Sequence, residues 1–175
     1  MLKFLIVGEN SINKIPLIKM LLKNEGLFTV AKYFTTVNDL DDEFYYYISN
    51  SDLNICHKNN AILFVKTDVS ESYGVTIDDF DESNVIYMNT EDFNNISNKI
   101  FHTYKDLVVV WLDTKNHDTR INNEIRETEY MLSKIDEESL KYLYFLDADL
   151  IEIMDVVCEY MQHEEKREEI LEKYS

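Results

Sequence analysis

Glycine and proline are nearly missing from this 175-residue chain, which has three of the first and one of the second. Turns must therefore be made by Asn, Asp and Ser, whose short side chains bond back to the local backbone. Cysteine is scarce too. Cys56 and Cys158 stand far apart and in no metal-ligand spacing, which suits two thiols in a reducing, cytoplasmic setting. No run reaches the roughly 18 apolar residues that a membrane-spanning helix needs. The opening MLKFLIVGEN is too short for a secretory signal, lacks a small-residue cleavage site, and reads as a buried first strand. Positive charge is the last shortage. Seventeen Lys and Arg face 34 Asp and Glu, a net charge of −17, and only Arg120, Arg126 and Arg167 are arginines.

That balance bounds the partners. Phosphate esters are normally held by Arg and Lys, and here there are few to gather. The field of the chain repels nucleic acid, nucleotides and anionic membranes and attracts a basic surface. The expected partner is a basic protein surface, in its specific form a DNA-binding host protein, with no direct contact to nucleic acid or membrane. A homo-oligomer is left open. The plain alternative is an acidic surface that serves solubility alone.

Apolar content of 45% supports a packed core. Strand-like runs alternate with helix-like patterns. Strands are expected at Leu2–Val7, Phe28–Phe34, Phe44–Ile48, Ala61–Val65, Val85–Met88, Leu107–Leu112 and Tyr142–Leu146. Helical spacing marks Ile15–Glu25, Thr90–Tyr104 with Thr90 as its cap, a thin apolar stripe over 118–135 that fits a partly exposed helix or a helical hairpin, and one long helix over Asp149–Lys173. The fold class is α/β: a three-layer arrangement with a mostly parallel central sheet flanked by helices. One domain is expected over 1–175, with a charged helical extension at about 162–175.

The strongest local signal is strand, loop and helix at the start, FLIVGENSINKIPLIKMLL. A phosphate-binding loop reads G-x-x-x-x-G-K-[ST] between a strand and a helix. Gly8 and Lys14 keep that spacing. Asn13 stands where the second glycine belongs and Ile15 where the hydroxyl belongs. Isoleucine has no oxygen for the Mg²⁺ that such a hydroxyl normally ligates. Asn13 or the carboxylate of Glu9 is expected to obstruct the phosphate position. Elsewhere His57, His102, His117 and His163 are scattered, no metal site is expected, and Tyr45-Tyr46-Tyr47 reads as a strand with alternating exposure.

The order of these segments resembles guanylate kinase and its smaller relatives, the deoxynucleoside-monophosphate kinase-like proteins often encoded by phages, over residues 2 to 161. Tyr33-Phe34-Thr35-Thr36 is similar to that family's S-x-T-T-R-x-x-R segment, and Ser72-Tyr73-Gly74 to its Y-Y-G turn. The stretches LVVVWLDTKNHDTRINNEIRET and YLYFLDADLIEIMDVV resemble its lid region and its closing strand and helix. The resemblance implies a vestigial phosphate site at Gly8, Asn13, Lys14 and Tyr73. It also shows losses. Val37 replaces the acceptor-site arginine, Phe64 stands about where an acid would read the base, Asn89 replaces a strand-end Asp, and of the lid arginines only Arg120 is in place while Asn123 takes the second position and Arg126 is out of step.

The resulting expectation is a catalytically dead kinase-like protein that works by macromolecular binding, as an acidic, DNA-mimic-like inhibitor of a nucleic-acid-handling protein, with no cofactor. Its interaction residues are Asp39, Asp41, Asp42, Glu43, Asp78, Asp79, Asp81 and Glu82. The rival readings are a weak nucleoside-monophosphate kinase using Lys14, Arg120 and Mg-nucleotide, and a nucleotide sensor without turnover.

Overall fold

A computed structural model describes residues 1–24, 26–39, 42–115, 123, 125–128, 130 and 140–175. Two compact units are described, Met1–Phe28 with Tyr87–Ser175, and Thr29–Ile86. The first unit carries β1 (Lys3–Gly8), α1 (Ile15–Leu22), α4 (Thr90–Thr103), β7 (Leu107–Asp113), β8 (Tyr142–Leu146), α5 (Leu150–Gln162), a 3-10 turn (Glu164–Lys166) and α6 (Arg167–Tyr174). The second carries β2 (Tyr33–Thr35), β3 (Tyr45–Tyr47), α2 (Asn50–Lys58), β4 (Ile62–Asp68), β5 (Glu71–Thr76) and α3 (Ile77–Asp81), and the boundary falls inside β6 (Val85–Met88).

The first unit is built on a four-stranded sheet in the order β6-β1-β7-β8. β1 pairs in parallel with β7, Lys3 opposite Leu107 through Gly8 opposite Leu112, and β7 in parallel with β8. Both faces of β1 and β7 are covered, so their sequences are continuous apolar runs and not alternating ones. Side chains on one face meet α4: the Trp111 ring lies edge-on to Phe93 at 4.9 Å, and the Lys3 ammonium lies over Tyr104. On the other face Phe4 meets Tyr160 of α5 at 5.9 Å, and Phe145 meets Tyr174 of α6 at 5.1 Å. Helix, sheet, helix is the expected three-layer α/β arrangement.

The second unit is a four-stranded sheet in the order β3-β2-β5-β4, with β2 parallel to β3 and antiparallel to β5. β4 and β5 form a hairpin. Ser72-Tyr73-Gly74, expected as a turn, lies inside β5, because the hairpin pairs Gly74 with Val65 and Tyr73 with Lys66. Gly74 is required there by space: a Cβ would overlap the Phe64 carbonyl oxygen and stand 2.7 Å from Phe34 Cζ.

Other expectations are corrected. The strand over Phe28–Phe34 shrinks to Tyr33–Thr35, with Val30 making only an isolated bridge to Val85. The long helix over 149–173 breaks at His163, whose φ of −119° and ψ of 87° leave helical space. Arg167 folds back so that its Nε donates to the Tyr160 carbonyl at 2.9 Å, closing the end of α5, and α6 then turns Ile170 inward. The cap of α4 is Asn89, not Thr90, with its side chain accepting from the Asp92 N–H at 2.8 Å. Helix α2 was not expected at all. The stripe expected over 118–135 lies largely outside the described residues. Among the described residues, no helix is long and apolar enough to cross a membrane.

Gly74→Ala is expected to destabilise the chain by at least about 2 kcal/mol, the scale of forced overpacking, read as a lower urea midpoint. An unchanged midpoint would contradict the close approach of β2, β4 and β5.

Candidate functional site

In an open α/β sheet, ligands meet the carboxyl ends of the strands. The loop of residues 9–14 leaves that edge at β1, the strand beyond which the sheet order reverses. Gly8 lies so close to β7 that a Cβ would stand 3.1 Å from the Leu112 oxygen and 3.4 Å from Lys14 Cε. The tight contacts are with Leu112, so the absent side chain is what lets the end of β1 lie against β7.

Lys14 is turned into its own loop. Its ammonium donates to the carbonyls of Glu9 at 3.1 Å and Ile12 at 3.2 Å, and the residue is 8% exposed. The Ile12 N–H donates to the same Glu9 carbonyl at 3.0 Å. The loop thus directs carbonyl oxygens at a cation, where a phosphate-binding loop directs N–H groups at an anion. Burial pulls the Lys14 pKa down from its ordinary 10.5 to about 8, against the opposing pull of the Glu9 and Asp92 carboxylates. Asn13 does not fill the loop. It is exposed, and its Oδ1 accepts from the Ile15 N–H at 3.2 Å, serving the start of α1 just before Pro16.

The far wall is the start of α4. Asn89 Nδ2 donates to Asn10 Oδ1 at 3.1 Å, and Thr90 Oγ1 donates to Glu9 Oε1 at 3.4 Å. Asp92 is 3% exposed. Its part in the lysine's environment went unseen in the sequence, where it reads only as a first-turn acid. Further along the edge, Tyr144 donates to Asp113 at 2.5 Å, and Asp147 accepts from the Lys115 N–H at 3.2 Å. Burial and Asp113 push the Tyr144 phenol up. Among the described residues no group of three or more His, Cys, Asp or Glu could hold a metal ion. Ile15, at the position where a phosphate-binding loop carries its hydroxyl, offers no ligand oxygen, and Glu9 adds negative charge to the loop.

A solved structure shares this architecture. Guanylate kinase from Anaplasma phagocytophilum matches with a TM-score of 0.55 and 13% identity, over 93% of this chain and 85% of that one. The chain has a guanylate-kinase-like fold. At that identity the likeness is one of fold alone. No protein-family model matches the sequence, and no curated protein does.

The remaining sequence-derived residues fall in the second unit. Tyr73 is half-buried, with the rings of Tyr33 and Phe64 at 6.2 Å. The paired threonines are committed internally: Thr35 Oγ1 accepts from the Val37 N–H at 3.1 Å and Thr36 Oγ1 from the Ser72 N–H at 2.8 Å. Asp42 makes the turn into β3, its Oδ1 accepting from the N–H groups of Phe44 and Tyr45. Asp79 accepts from the hydroxyls of Tyr46 and Thr76, both at 2.6 Å. Asp39, Glu43, Asp78, Asp81 and Glu82 are exposed. Arg120 and Asp41 lie outside the described residues.

The Lys14 shift sets a pH dependence. Between about 8 and 10.5 the unfolded chain holds its Lys14 proton while the folded chain has released it, so this group adds stability as pH rises through that window. The contribution is complete above 10.5 and lost as pH falls to 8. Lys14→Met is expected to flatten the rise in urea midpoint across the window relative to wild type. Parallel curves for the two proteins would show that Lys14 is not buried as described.

Proposed function

We propose that this chain is a non-catalytic protein of guanylate-kinase-like fold that acts by binding another macromolecule through exposed carboxylates. The observation that carries the first half is the Lys14 ammonium, held by two carbonyls of its own loop. Phosphoryl transfer works by positioning and by cancelling phosphate charge with Lys, Arg and Mg²⁺. Here the lysine is engaged inward, two carboxylates already act on it, and no hydroxyl follows it. The acceptor position expected to hold an arginine is Val37.

The second half rests on charge. At −17 the chain favours fast, salt-sensitive association with a basic surface. A nucleic-acid-handling protein presents such a surface, and a DNA-mimic-like inhibitor is the specific form of the reading. Internal bonding narrows the contact set. Asp42 and Asp79 are bonded within the second unit, so Asp39, Glu43, Asp78 and Glu82 are the acids this reading assigns to the partner.

Calorimetric titration with ATP or GTP and Mg²⁺ is expected to show no binding at sub-millimolar nucleotide. Tight, Mg²⁺-dependent binding that disappears in Lys14→Ala would overturn the reading in favour of a weak kinase or a sensor.

Charge reversal separates a partner surface from mere solubility. Replacing Glu43, Asp78 and Glu82 together by Lys leaves the Asp42 and Asp79 bonds intact, so the thermal midpoint is expected to hold. Association with a purified basic partner should weaken in the variant and in wild type at about 0.5 M salt, where the Debye length is only a few Å. Affinity unchanged by both treatments would remove the acidic-surface reading.

A further inference from the structure

Residue 9 carries the loop on both of its polar ends. Its carbonyl accepts from the Lys14 ammonium at 3.1 Å and from the Ile12 N–H at 3.0 Å. Its carboxylate accepts from Thr90 at 3.4 Å, in the first turn of the 14-residue α4. Negative charge is favoured at that end of a helix, where backbone N–H groups point outward. The neighbouring Asn10 is fixed to the cap residue Asn89 at 3.1 Å. Two consecutive loop residues are therefore tied to the start of α4, and one of them brings an anion to it.

We infer that the Glu9 carboxylate is a built-in competitor for anions at this loop, holding the place between Lys14 and the start of α4 that an external phosphate-type anion would take. The inference rests on the non-catalytic reading of the loop and names the residue that enforces it. Asn13 is not that residue, because its side chain is turned to the Ile15 N–H and lies exposed. Asp92 is not either: it is buried, out of reach of a ligand arriving from solvent. Glu9 is half-exposed, and losing its charge leaves Lys14 with one neighbouring carboxylate where it now has two. The ligand class is a compact polyanion small enough for the loop, with inorganic pyrophosphate as the probe.

The test follows the backbone amide signals of residues 8–15 by NMR during a titration with inorganic pyrophosphate, without Mg²⁺ or nucleotide. Wild type, Glu9→Gln, Glu9→Ala and Glu43→Gln are compared. Glu9→Gln keeps the size and hydrogen-bonding capacity of the side chain and covers the case in which Glu9→Ala disturbs the loop. Glu43→Gln removes one exposed acid elsewhere and controls for net charge. Both Glu9 variants are expected to show saturable shifts in these amides at pyrophosphate concentrations at least about tenfold lower than wild type, a difference of about 1.4 kcal/mol. Adding Lys14→Met to either should abolish the response. The inference is overturned if the Glu9 variants respond like wild type, if Glu43→Gln responds as they do, or if the response survives loss of Lys14. Failure of the broader reading has a different signature, Mg-nucleotide binding by wild type itself.

Discussion

Everything at the carboxyl edge depends on the parallel pairing of β1 with β7. Six consecutive partners, Lys3 with Leu107 through Gly8 with Leu112, lie in the middle of the sheet, covered by α4 on one face and by α5 and α6 on the other. Parallel strands cannot be joined by a tight turn, so each must deliver its chain to the same edge and cross back. The pairing thus places the loop after β1 beside Leu112 and Asp113 whatever the loop itself contains. Gly8 is constrained by that closeness, since even a methyl group would crowd the Leu112 oxygen. A glycine at this position therefore reports strand packing as much as ligand binding.

Within this frame the loop has the opposite polarity from an anion site. Its oxygens converge on an ammonium, its acid reaches the positive end of α4, and the residue after the lysine is an apolar Ile15. These features support one another. Once the lysine is held by two carbonyls of its own loop, an incoming anion must displace those charge-assisted bonds and also face Glu9. The cost of burying a cation is only partly offset internally: burial lowers the lysine's pKa, and the two neighbouring acids resist the change without cancelling it.

The acidic excess proves to be partly structural equipment. Among the described residues, three helices begin with a polar cap and an Asp three residues on: Ser49 with Asp52, Thr76 with Asp79, and Asn89 with Asp92. In each the cap side chain accepts from the Asp N–H, and in the first two the cap hydroxyl also donates to the carboxylate. Asp149 caps α5, and Asp42 shapes the turn into β3. With almost no glycine or proline to end and start elements, short acids do that work. The proposed binding surface draws only on exposed carboxylates that stand outside these bonds.

The sequence by itself determined the α/β class, the buried character of β1 and β7, and the loss of the loop hydroxyl, because an apolar run covered on both faces and a missing oxygen are both properties of residue type. It also held an unread signal for α2, the Ser49-x-x-Asp52 spacing that starts a helix where the apolar pattern is weak. Tertiary structure alone decided the rest. The register of β4 on β5 turned an expected turn at Ser72–Gly74 into strand, and the fold-back of Arg167 onto Tyr160 divided an expected long helix. It also decided that Glu9, not Asn13, reaches the start of α4, and that Asp92 lies buried near Lys14. Residues 9 and 92 are far apart along the chain, and no local pattern carries the direction of a side chain. That direction is fixed only when the pairing of β1 with β7 and the packing of α4 on the sheet bring the loop and the helix start to one edge.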